Sequence, residues 1–147
     1  MAPIIEGVYE HRNAGAPSNG TDEVQTLTIG GTPTGGTFKL AFDGYTTAAI
    51  DWTDVDNTLV AAIDAALEAL PNIGTSGVTT AAGTLSSGIG TVTITFGGNL
   101  TKLAVPTITV ADNSLEGTSP TLAVAETTPG VTATARGAAK GATLQDT

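Results

Sequence analysis

The side chains able to do chemistry are few and widely spaced. The chain has one histidine, His11, and no cysteine. This excludes disulfide frameworks, thiolate metal sites, cysteine nucleophiles and any site built on two imidazoles. His11 falls among Pro and Gly residues in an extended arm, where a solvated or interface histidine is expected rather than a general base, which needs a fixed partner and a pocket. The densest acidic patch is Asp51, Asp54 and Asp56, with Asp43 nearby across an expected hairpin. Hard cations favour such oxygen ligands, but the spacing departs from the EF-hand pattern of alternate acids followed by Gly. Helix capping and a solvated acidic surface are the expectation there, with calcium the competing reading. Asp112, Asn113 and Glu116 read as a hairpin loop. Trp52 reads as a core or staple residue, and a sugar-stacking platform beside the acidic patch is the alternative, the reading on which, with Tyr45, an adhesin role would rest. Glycines recur from Gly30 to Thr37 where amides could cradle an anion, but a phosphate loop needs Lys followed by Ser or Thr, and Gly35 is followed by Gly36 and Thr37. Neither a Gly-x-Ser-x-Gly elbow nor a His-Glu-x-x-His helix occurs. With no nucleophile and base to pair, the expectation is a protein that is not an enzyme and holds no cofactor or transition metal.

Composition narrows the classes further. At 147 residues the chain has the length of one domain, and nearly half of it is Thr, Gly and Ala, with 13% charged and 4% aromatic residues. The net charge of −9 disfavours nucleic-acid backbones and anionic membrane surfaces, which would be repelled rather than neutralised. No run approaches the roughly 18 to 20 apolar residues of a membrane helix, and the opening Met1-Ala2-Pro3-Ile4-Ile5-Glu6 lacks the basic start of a signal peptide, so a soluble, unexported chain is expected.

Periodicity then places these residues on elements. Residues 1–22, with Pro3, Pro17, Gly7, Gly15 and Gly20, predict an extended arm, and residues 129–147 a similar C-terminal tail. The body, 23–128, alternates with a period of two, as strands with one buried face do. Val24–Ile29 predicts a strand ended by a turn segment over Gly30–Gly36. Phe38, Leu40 and Phe42, then Asp43-Gly44, then Tyr45, Thr47 and Ala49 predict a hairpin with a type I′ turn. Val78–Ala81, Thr91–Phe96, Thr107–Val110 and Thr121–Ala125 follow as separate strands. Between them Leu59, Ile63, Ala66, Leu67 and Leu70 recur at spacings of three and four, which predicts one helix over Asp56–Leu70, started by Asp54 or Asp56 and stopped by Pro71-Asn72 and Gly74. The expected class is α+β: a largely antiparallel β-sheet or sandwich, Ig-like or otherwise β-rich, with one helix packed on it.

Two segments carry a resemblance. Asp22-Glu23-Val24-Gln25-Thr26-Leu27-Thr28-Ile29-Gly30-Gly31-Thr32-Pro33-Thr34-Gly35-Gly36-Thr37-Phe38, with Ala65-Ala66-Leu67-Glu68-Ala69-Leu70-Pro71-Asn72-Ile73, resembles a small module of tailed-phage virion proteins, especially those of phages of actinobacteria. The resemblance covers about residues 22 to 128 and implies an Ig-like or α+β module used on capsid and tail surfaces. It transfers no functional residue. It implies a capsid decoration, or cement, protein on the outer surface of the head, bridging capsomers as a homotrimer, with the major capsid protein and its own copies as partners and no nucleic acid or membrane. A tail-tube or other tail structural component is the alternative within the virion. A carbohydrate-binding adhesin module is the alternative outside that class. The arm residues Ile4, Ile5, Val8, Tyr9, His11 and Arg12 are the expected partner-binding residues, because Ile4, Ile5, Val8 and Tyr9 are too few for a core and too apolar for an idle tail.

Overall fold

The alternation of large apolar residues with threonine builds one sheet with two unlike faces. The computed structural model describes residues 18–134. The element order is β1 (Val24–Phe42), β2 (Tyr45–Thr46), β3 (Ile50–Asp51), α1 (Asp56–Glu68), β4 (Val78–Ala82), β5 (Gly90–Phe96) and β6 (Thr109–Thr128), with a 3-10 turn at Gly98–Leu100. All six strands join one sheet through antiparallel pairs, and α1 is the single α-helix among the described residues, so the fold is α+β as expected.

β1 is the spine. One side pairs with β5 over Val24–Ile29 and then with β3 and β2 over Thr37–Phe42, while the other side pairs with β6 from Val24 to Ala41. The expected hairpin at Asp43-Gly44 forms, and both residues take the positive φ, 46° and 90°, that a type I′ turn requires. Two other expectations are corrected. The Gly30–Gly36 stretch does not end a strand; it lies inside β1. Thr107–Val110 and Thr121–Ala125 are not two strands; the chain from Thr109 to Thr128 is one strand, and Asp112, Asn113 and Glu116 lie within it rather than in a hairpin loop.

The physical reason is the ladder between the two long strands. A glycine run reads locally as a turn, but here β6 supplies a partner along its whole length, and the glycines absorb register shifts at Gly30/Thr32 and Pro33/Gly35 as bulges. Gly31 and Gly36 have φ of 75° and 90°, and a Cβ on either would overlap a β6 carbonyl, that of Ser119 or of Ser114. The bulges also bend the ribbon. Asn113 Nδ2 donates to the Pro120 carbonyl at 3.3 Å, whereas seven residues of straight strand would separate them by about 23 Å.

The bend brings Leu27 and Ile29 from the first half of β1 into one core with Phe38, Leu40 and Phe42 from the second. Val92, Ile94 and Phe96 of β5 join them, as do Leu59, Ile63 and Leu67 on the apolar stripe of α1. The Phe42 and Phe96 rings meet at 5.2 Å between centroids. α1 ends at Glu68, two residues short of the expected Leu70, which remains buried in the turn that follows. The expected aspartate cap is absent: Val55 occupies the cap position without a side-chain hydrogen bond, because Asp56 is drawn to the Gly88 N–H and Thr53 Oγ1 takes the Val55 N–H.

Candidate functional site

The described acids and amides work mainly as structural clamps. Glu23 and Gln25 are fully buried. Period two puts them on the same inward row as Leu27 and Ile29, and there they hold the segment that crosses from the 3-10 turn to β6. Gln25 Nε2 donates to Glu23 Oε1 and to the Pro106 carbonyl, Val105 N–H donates to Glu23 Oε2 at 2.8 Å, and Ile108 N–H donates to Gln25 Oε1 at 2.8 Å. Asp22 adds a third hold, its Oδ1 accepting from Thr101 Oγ1 at 2.7 Å and from Lys102 N–H at 2.8 Å. The Thr101 hydroxyl, then the Lys102 amide, draw the Asp22 carboxyl below its ordinary pKa. A depressed folded-state value stabilises the fold above the ordinary carboxylate range, and that contribution is lost as pH falls through the folded value. An Asp22→Asn variant is therefore expected to narrow its stability gap from the parent as pH drops below about 4, in parallel urea titrations at stepped pH.

The carboxylates of the acidic patch do not gather at one point. Asp56 Oδ1 accepts from Gly88 N–H at 2.8 Å, Asp51 sits in β3 opposite Thr37, and no group of three or more His, Cys, Asp or Glu residues converges among the described residues. Trp52 belongs to the same clamp. It is half-buried against the core and its Nε1 donates to the Gly88 carbonyl at 3.0 Å, so Trp52 and Asp56 together pin the loop between β4 and β5. Trp52 N–H pairs with Gly36 while Tyr45 pairs with Phe42. Six residues of β1, about 20 Å, thus separate the two aromatic rings' backbones. Trp52 and Tyr45 do not share one platform.

A shallow cleft of about 460 Å³ runs between α1 and β4, with Val60 and Val78 as apolar walls and Asp64 and Glu68 on the helix side. Asp64 Oδ1 accepts from the Thr80 N–H at 3.1 Å and its hydroxyl at 3.0 Å, which caps the outer edge of β4 and ties the helix to the sheet.

Two surfaces remain open. Outward from the first half of β1 and its partners stand Thr26 and Thr28 of β1, Thr91, Thr93 and Thr95 of β5, and Ala123 and Ala125 of β6, a patch of uncharged side chains in an acidic protein. The second is the outer edge of β6, which among the described residues pairs with β1 alone. Beyond its end the two chain directions stay together: Thr21 pairs with Val131 and Ser18 with Thr134, with N–H···O distances of 2.8 to 3.0 Å. The chain therefore enters and leaves the body at one pole, side by side. Ile4, Ile5, Val8, Tyr9, His11 and Arg12, the expected partner-binding residues, lie outside the described residues. No described helix is long and apolar enough to cross a membrane.

No protein-family model and no curated protein matches this chain. The internal clamps escaped sequence reading because acids and amides read as surface by default. The signal that could have found them was the period-two row Glu23, Gln25, Leu27, Ile29.

Proposed function

We propose that this chain is a non-enzymatic structural protein of a tailed-phage virion, a decoration protein seated on the outer surface of the head and in contact with the major capsid protein and its own copies, as a homotrimer. The observation that carries the reading is the shared pole. Two segments leaving one end side by side can reach neighbouring subunits while the body stays on its own footprint. The body suits that role: a bent, doubly paired ribbon around one core, free of oxidisable thiols, with its buried Glu23 and Gln25 tied down by internal hydrogen bonds. The resemblance of the Asp22–Phe38 and Ala65–Ile73 segments to virion modules supplies the setting.

Gold-labelled antibody against the protein, viewed on intact virions by electron microscopy, tests the reading. Label over the heads is the expected result. Label confined to tails would replace decoration with a tail role, and virions without label would overturn the virion reading. Deleting residues 2–16 is expected to leave the unfolding transition in place and to weaken head binding by about tenfold or more, as loss of a tethered contact does. Undiminished binding by the deleted chain would put the whole contact on the body.

A further inference from the structure

The ladder gives each backbone amide of β6 a direction. Phe96 N–H donates to the Glu23 carbonyl at 2.9 Å, so alternate residues of β1 from Glu23 onward face β5, and Thr26, Thr28 and Gly30 face β6. Their partners Ala125, Ala123 and Thr121 turn toward β1, which directs the N–H and C=O groups of Leu122, Val124 and Glu126 away from the sheet. This stretch is in unbroken register from Thr121 to Glu126, and no strand among the described residues pairs with its outer side. The opposite edge of the sheet, β4, has Asp64 across it. The β6 edge thus offers a straight row of backbone donors and acceptors, with Leu122 and Val124 half-buried behind it.

We propose that this edge takes the segment Ile4–Arg12 of a second copy of the chain as an added strand. Place, length, pattern and charge select that occupant. Residues 1–17 lead into Ser18, which pairs with Thr134 at the pole just past the end of β6. Six edge residues span about 20 Å and nine extended residues about 30 Å, so Ile4–Arg12 covers the edge, with residues 13–17 left to connect it. Alternation gives the added strand an apolar pair on each face, Ile4 with Val8 and Ile5 with Tyr9, one of which extends the Leu122 and Val124 row. The segment's own copy is less well placed, because residues 18–21 already lie on the β1 side of 131–134 and the chain would have to cross over that strand. Pairing of β6 with β6 of another copy would bring together the bodies of two chains that each carry a net charge of −9. Ile4–Arg12 carries only Glu6 and Glu10 against Arg12. The proposal rests on the reading that copies of this chain meet in an assembly, and not on where that assembly sits.

The absence of cysteine makes the test clean. One full-length chain carries Glu126→Cys, and a second carries a single Cys substitution at Glu6, Gly7, Val8, Tyr9 or Glu10, so that both faces of the added strand are sampled. After mixing and mild oxidation, a disulfide-linked heterodimer is expected for at least one pairing, at about tenfold the yield for a Cys placed at exposed Ala65 on α1, given the high effective concentration of paired strands. Glu126→Pro, which removes an outward N–H at an exposed side chain, is expected to weaken self-association by about tenfold while the fold persists. Ala125→Pro removes a ladder hydrogen bond to Thr26 and is expected to destabilise the monomer itself. Heterodimer yields equal to those with the α1 position, or linkage within one chain when both substitutions are combined, would overturn the proposal. So would unchanged self-association of a folded Glu126→Pro protein. Cross-linked copies that fail to bind heads would instead count against the virion reading and leave the edge assignment standing.

Discussion

Gln25→Met is expected to destabilise the protein by about 3 to 5 kcal/mol, because it leaves a buried carboxylate and two backbone groups short of partners with little change in volume. Gln25 holds three partners at once, one beside it and two on the segment that crosses to β6. Its Nε2 reaches Glu23 and the Pro106 carbonyl, and its Oε1 takes the Ile108 N–H. Methionine has a similar length and no capacity to replace these bonds. Glu23 then keeps only the Val105 amide in a site from which water is excluded. Each unpaired buried group costs about 1 to 3 kcal/mol, against total stabilities of about 5 to 15 kcal/mol for domains of this kind, so the loss is a large fraction of the whole. Urea unfolding measures it: the midpoint should fall by about 2 M at the slopes usual for this size. Thr28→Val on the outward face of the same strand is the control and should stay within about 0.5 kcal/mol. A loss below about 1 kcal/mol for Gln25→Met would mean that the crossing segment is held by something other than this network.

Leu67→Ala and Ile63→Ala should each cost about 2 to 5 kcal/mol through lost burial and the cavity left behind. Both side chains are fully buried and lie in the same core as Phe38, Val92 and Phe96. The surroundings have little room to collapse, since the sheet beneath is held by β1 pairing on both sides and the helix is fixed to β4 through Asp64 and Thr80. Ala65→Ser on the exposed side of α1 should change stability by less than about 0.5 kcal/mol. Thermal or urea unfolding of the three variants separates the faces. Equal effects at positions 63, 65 and 67 would mean that the helix does not present this stripe to the sheet.

What the amino-acid order determined by itself is local and periodic. The 3.6-residue recurrence of Leu59, Ile63 and Leu67 defined α1 and its buried stripe, and the alternation of Val92, Ile94 and Phe96 with threonine defined β5 and its two faces. Asp43-Gly44 defined its turn, because a type I′ geometry requires positive φ at both central positions. What only the tertiary structure decided is whatever depends on a distant partner. Gly30–Gly36 carries the local chemistry of a turn, and it is strand because residues 114–121, far along the chain, provide its hydrogen bonds. Asp112, Asn113 and Glu116 are strand for the reciprocal reason. Asp56 leaves the helix cap for Gly88, and Glu23 and Gln25 become buried clamps instead of surface groups, because the crossing segment brings amides to them. The open edge of β6 is of the same kind: no residue within Thr121–Glu126 tells which side of its backbone stays unpaired, since that follows from the order of strands in the sheet.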